Sequence, residues 1–181
     1  GPEGRSAMEA VSQTTRGAGE AVQPRAESPR PQTLQGTPTA SDAAAGEPGL
    51  PDGSGEGRRV VFSEGQQRVW LVGGNDKVQH TYLVSGSVYD NLDPGSYEVY
   101  SRSEQAWGID DSGTMKYFVR FAQGDNAAIG FHDIPIDDGQ PVQTASELGT
   151  PLSHGCIRQR RADAKLLWAF APIGTKVVVT T

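Results

Sequence analysis

The sequence contains one cysteine, so no disulfide can close within the chain and pairing says nothing about its redox compartment. It has no apolar run long enough to span a bilayer and no signal-like hydrophobic segment. It does not begin with Met. Gly1-Pro2 reads as the remnant of tag cleavage, which leaves an export signal or an anchor upstream open. A basic stripe is also missing. The net charge of −6 divides evenly, with five basic and eight acidic groups in residues 1–58 and eleven and fourteen in residues 59–181. Phosphate neutralisation needs clustered Lys and Arg, and Arg158, Arg160 and Arg161 are too few, so nucleic acid is excluded as the main partner.

Residues 1–57 lack Phe, Trp, Tyr and Ile, and hold seven of the twelve prolines. So little apolar area does not offset the entropy of ordering, and the stretch reads as a disordered Pro/Gly/Ala-rich tail or linker. One folded domain is expected over 59–181.

What is present in that domain is mostly β patterning. RVVFS, QRVWLV and VQHTYLVSG carry β-branched and aromatic residues between SEGQ and GGND turns. Asp93-Pro94-Gly95 marks a tight turn, and SYEVYSRS after it reads as one alternating strand. MKYFVRFAQ and NAAIGF are two more strands, and TKVVVTT is the last. Residues 133–152 read as a loop too long for a plain connector. The only helical pattern lies at about 161–171, with Ala164, Leu167, Trp168 and Ala171 on one face.

The chemistry-bearing residues are three histidines and the single thiol. His80 falls in strand alternation and reads as structural. His132 ends an apolar strand where the long loop begins. His154 and Cys156 flank Gly155, and in an extended segment their side chains leave the same face. A thiol needs an imidazole or a positive partial charge to act as a nucleophile. Either histidine or the dipole of the helix that follows would supply it. The amides from Ser153 to Cys156 are suited to hold an oxyanion. Two other readings stay open at this point: a buried thiol filling the core, and a zinc site built from His132, His154, Cys156 and Asp133.

Ser153-His154-Gly155-Cys156-Ile157-Arg158 with His132 upstream resembles the signature of the L,D-transpeptidase catalytic domain, the YkuD family. QRVWLV, TYLVSG, the turn at 93–97 and the ending KLLWAFAPIGTKVVV are similar to that family as well. The resemblance implies an L,D-transpeptidase-like β-sandwich with one C-terminal-side helix. It implies a Cys156 nucleophile, a His132 general base, and an oxyanion hole lined by His154, Gly155 and the Cys156 amide, with Ser153 shaping the pocket.

The implied substrate is a peptidoglycan tetrapeptide stem, joined to a second stem by a 3→3 cross-link through a thioester. Water as acceptor would make the enzyme an L,D-carboxypeptidase, and a non-catalytic wall-binding domain is the reading from another class. Carbapenem β-lactams are implied as acylating inhibitors. No cofactor and no metal is implied. The setting is extracytoplasmic, with membrane contact only through an anchor outside this sequence and a monomer as the expected state.

Three departures from the family pattern bear on the site. Twenty residues separate His132 from Ser153, longer than the usual interval. Asp133 follows the histidine; its carbonyl is suited to orient the imidazole, and its carboxylate to raise the histidine's pKa. Arg158 stands where many relatives have Asn and is a candidate to hold a substrate carboxylate. Asp133, Asp137 and Asp138 are expected beside the cleft, either attracting the ammonium of an acceptor stem or forming a solvated acidic loop.

Overall fold

The computed structural model describes residues 47–108 and 113–181. One compact unit spans Leu50–Thr181. The other, Gly1–Gly49, is described only at residues 47–49, so the expected disorder of the tail lies almost wholly outside the described residues. Leu50–Gly57, expected as linker, belongs to the folded unit.

Two sheets form the body. The first holds β1 (Arg59–Ser63), β2 (Arg68–Val72), β3 (Val78–Leu83), β4 (Gly95–Glu98) and β11 (Lys176–Thr180), in the order β3-β2-β1-β11-β4. The second holds β5 (Ser101–Trp107), β6 (Thr114–Gln123), β7 (Ala128–Asp133), β8 (Ile136–Asp137), β9 (Gln140–Pro141) and β10 (Ile157–Gln159). Its order is β9-β8-β6-β7-β10, and β5 also pairs with β6. The α-helix among the described residues is α1 (Arg161–Phe170). The fold is mostly β, as the sequence pattern implies, and a sandwich, as the family resemblance implies.

The inward residues of both sheets and one face of α1 share a core that includes Val60, Phe62, Leu71, Phe121, Phe131, Ile157, Leu167 and Val179. β1 is buried at every position, so its residues do not alternate between core and solvent. Its outward Val61 packs with Trp70, Val72 and Val178, and Leu50 closes over that second cluster. Phe131 sits between Phe62 (centroids 6.4 Å apart) and Phe121 (5.0 Å), so truncating it to Ala would cost about 3–5 kcal/mol and loosen the strand that carries His132.

SYEVYSRS is not one strand. The Val99 amide donates to the Thr175 carbonyl at 2.9 Å and the Tyr100 amide to the Arg120 carbonyl at 3.0 Å, so adjacent residues serve different sheets. The chain crosses the sandwich there. The long loop is also ordered: β8 and β9 form a hairpin whose two turn residues, Asp138 (φ 51°) and Gly139 (φ 77°), both have positive φ, as a tight primed turn requires. A 3-10 turn at Ala145–Glu147 follows, capped by Thr144 and Glu147.

Candidate active site

β10 is only three residues long, yet it sets the site. It pairs in parallel with β7, with Ile157 opposite Phe131, Arg158 opposite His132 and Gln159 opposite Asp133. Paired residues share a face, and the pleat alternates faces. His132 and Arg158 therefore face one side, and Cys156, one residue before β10, faces that side too. Phe131 and Ile157 point into the core. A cleft of about 740 Å³ opens on the reactive side and is lined by Cys156, His132, Ser153, His154, Gly155 and Arg158, among others.

His132 is 3% exposed. Its Nδ1 lies 2.5 Å from the Asp133 carbonyl, a bond that fixes Nδ1 as the donor and leaves Nε2 as the acceptor. Burial pushes its pKa down to about 4. The hydrogen bond and the Asp133 charge raise it, the Arg158 charge lowers it further, and burial prevails. The expectation that Asp133 raises this pKa thus names a real contribution with the wrong outcome.

The Asp133 carboxylate does not face the substrate. It is buried, accepts the Lys116 amide at 2.8 Å and pairs with Arg161 at 2.6 Å. Asp137 and Asp138 are exposed on the β8–β9 hairpin and do not line the cleft; among the described residues the carboxylate that does is Asp125.

Burial raises the Cys156 thiol above its ordinary value, against the Gly130 backbone hydrogen bond and the positive charges of Arg120 and Arg158. The sulfur lies 3.6 Å from the Ala128 carbonyl. A thiol beside a neutral imidazole is the resting state these shifts favour.

Ser153 shapes the turn before the nucleophile. Its hydroxyl donates to the Cys156 carbonyl at 2.5 Å and accepts the Gly155 amide at 3.2 Å, and its own amide donates to the Gly86 carbonyl at 3.0 Å. Two of the four amides expected for the oxyanion are engaged in this way. His154 and Cys156 carry the other two. The His154 ring is exposed and lies 5.8 Å from Tyr89, while its carbonyl accepts from Asn91 at 2.9 Å. His154 lines the cleft with Cys156. With Asp133 turned inward, no three His, Cys, Asp or Glu groups among the described residues gather as a metal site. His80 is exposed on β3, away from the cleft.

Arg158 is half-buried. Its Nη1 donates to Gln143 Oε1 at 3.1 Å and the Leu152 carbonyl at 3.4 Å. Gln143 comes from the long 133–152 segment, which therefore serves to hold Arg158. Sequence reasoning missed Gln143. It also missed Arg120, which lines the cleft from β6, and the buried pair of Tyr82 and Gln159, bonded at 2.6 Å behind the His132 carbonyl. MKYFVRFAQ offers no local signal that marks its arginine, because the cleft arises from strand neighbours distant in sequence.

Comparison with known proteins places this geometry. The family model described as the L,D-transpeptidase catalytic domain, YkuD, matches residues 57–179. A stretch of 52 residues is 44% identical to Bacillus subtilis YciB, provisionally named an L,D-transpeptidase; it covers 28% of this chain and 27% of YciB. An L,D-transpeptidase from Stackebrandtia nassauensis superposes with a TM-score of 0.55 at 21% identity, over 72% of this chain and 60% of that one. Mycobacterium tuberculosis L,D-transpeptidase 3, solved with a faropenem-derived adduct, superposes with a TM-score of 0.51 at 21% identity, over 67% and 59%. The chain spans little more than a quarter of YciB and about three-fifths of each of these structures.

Proposed function

The chain belongs to the L,D-transpeptidase catalytic domain family, and from that premise we propose that it is a cysteine acyltransferase that cross-links peptidoglycan tetrapeptide stems 3→3 through a thioester on Cys156. The observation that carries this reading is the parallel register of β10 on β7, which sets Cys156 and Arg158 on the face where His132 presents Nε2.

In the proposed mechanism Cys156 Sγ, turned from the Ala128 carbonyl, attacks the carbonyl carbon of the third stem residue while Nε2 of His132 takes the thiol proton. With thiol and imidazole both neutral at rest, proton transfer accompanies attack rather than preceding it. The oxyanion rests on the His154 and Cys156 amides. Collapse breaks the carbon–nitrogen bond, His132 returns the proton to the departing D-Ala amine, and the thioester remains. The side-chain amine of a second stem attacks the thioester carbon and gives up a proton to His132. Collapse then expels sulfur, which regains that proton. Water in place of the amine gives L,D-carboxypeptidase activity. This chemistry would place the protein outside the cytoplasm.

Incubation with a carbapenem followed by intact-mass measurement tests the nucleophile. A covalent adduct is expected on the wild type and not on Cys156→Ala, and its absence at neutral pH would overturn the reading. Product analysis with tetrapeptide stems then separates cross-linking from trimming.

A further inference from the structure

The cleft wall continues past the catalytic strands, and the sheet register shows what lies beside the nucleophile. Ser103 pairs with Phe118 and His132 with Arg158, and carrying the Val119–Phe131 pairing one residue further brings these two pairs into one row across β5, β6, β7 and β10. The Phe118 and His132 rings meet edge to face at 5.3 Å, as this row requires. The next row runs Ser101, Arg120, Gly130, and the step of β10 against β7 brings Cys156 to its end. Gly130 is the one position in that row without a side chain, and none would fit. A Cβ there would lie 2.2 Å from the Val119 carbonyl oxygen. The β6 backbone closes that place, and Arg120 and Cys156 line the cleft on either side of Gly130, with the Arg120 charge felt at the thiol.

Arg120 is held in place by neutral groups. Its Nη1 donates to Ser101 Oγ at 3.0 Å and Ser103 Oγ at 2.9 Å, and its guanidinium carbon sits 4.2 Å over the Phe118 ring. Among the described residues, Asp125 is the carboxylate lining the cleft, and it makes no ion pair with Arg120. Arg158 on the other side of the thiol is oriented the same way, by Gln143 and the Leu152 carbonyl. Each guanidinium has five N–H donors, and among the described residues the bonds of both run through Nη1 alone. Two cations lie near one nucleophile, and among the described residues neither is paired with a carboxylate.

We propose that Arg120 is a specificity-determining residue that pairs with the side-chain carboxylate of the donor's third residue, while Arg158 takes the donor's terminal carboxylate. The inference rests on the acyl-transfer reading of Cys156 and adds the class of donor to it: a diamino diacid at position three, in free-acid form. Chemical distance makes the assignment. The terminal carboxylate lies three bonds from the attacked carbon and suits the cation two residues along the same strand, roughly 7 Å away at the backbone. The side-chain carboxylate of the third residue is farther along the substrate and suits the cation two strands over, roughly 10 Å away.

Three tetrapeptide donors that differ only at position three test this: the free diamino diacid, its side-chain amide, and lysine. For the wild type, kcat/KM for Cys156 acylation should be about tenfold or more higher for the free acid than for the other two, a margin that shrinks as salt rises. Arg120→Gln should abolish the preference, bringing the free acid to the level of the other two, whatever loss the three share from removing a charge near the thiol. Arg158→Gln should lower all three together. Equal use of the three donors by the wild type overturns the proposal even if a variant fails to fold, and so does a preference that survives in Arg120→Gln. If a carbapenem still acylates Cys156 in that case, the acyl-transfer reading stands. If neither carbapenem nor peptide acylates it, both fall.

Discussion

His132 is buried and the Cys156 sulfur is set back from water, so desolvation moves their proton equilibria in opposite directions and keeps both neutral. The base must be unprotonated to act. Activity should therefore persist well below the usual histidine range, and the acid limb of kcat/KM for acylation should lie near 4. A limb near 6.5 would show a solvated, ordinary imidazole. Gly130 and Gly155 predict opposite failures. A Cβ on Gly130 would strike β6 backbone, so Gly130→Ala should cost about 3 kcal/mol in stability, read as a lowered urea midpoint. A Cβ on Gly155 would meet nothing nearer than Asn91 Nδ2 at 3.8 Å. Gly155→Ala should fold within about 0.5 kcal/mol of wild type yet acylate more slowly with stem peptides, because the space it fills belongs to the cleft. Equal midpoints for the two variants would contradict this account.

Strands with several apolar positions in register were legible one at a time: β1, β2 and β7 fall where alternation or an apolar run places them, and α1 where the 3.6-residue period does. β10 was not legible, since three residues carry no period. Its existence depends on β7 supplying a partner edge and on Ser85, whose amide donates to the Arg158 carbonyl at 2.9 Å. The site residues His132, Ser153 and Cys156 stood out by type and spacing, whereas Arg120 and Gln143 act through pairings no local window contains.

Asp133 shows how elements are joined around the base. Its carboxylate accepts the Lys116 amide of β6 and the Arg161 guanidinium at the start of α1, while its carbonyl holds the His132 ring. Asp133→Asn keeps the shape and the carbonyl but removes the charge. Arg161 is half exposed and can turn to water, so the expected loss is about 1–2 kcal/mol rather than that of a fully buried pair. The same change removes a charge that raises the His132 pKa, so the acid limb should move lower still. An unchanged urea midpoint together with an unmoved limb would remove Asp133 from this role.

The domain boundary depends on the body of the molecule. GEPGLPDGSGEG has the composition of a linker, and its single large apolar residue, Leu50, gives no pattern to read. The signal lay instead in β1 and β2, which carry apolar side chains on both faces and so demand a cover on each. Leu50 closes the outer cluster of Val61, Trp70, Val72 and Val178. The same segment satisfies Arg59, a residue 2% exposed, through the Ser54 carbonyl at 2.7 Å and the Gly57 carbonyl at 2.5 Å, leaving Asp76 at 2.7 Å as its other partner. A chain beginning at Arg58 would open the Trp70 cluster to water and strip a buried guanidinium of two acceptors. It should be less stable than one beginning at Leu50 by about 2–4 kcal/mol, from the lost apolar contact and the unpaired donors together. Urea titration of the two truncated chains measures this. Coincident curves would mean that the segment is only a linker and that the outer face of the sheet needs no cover.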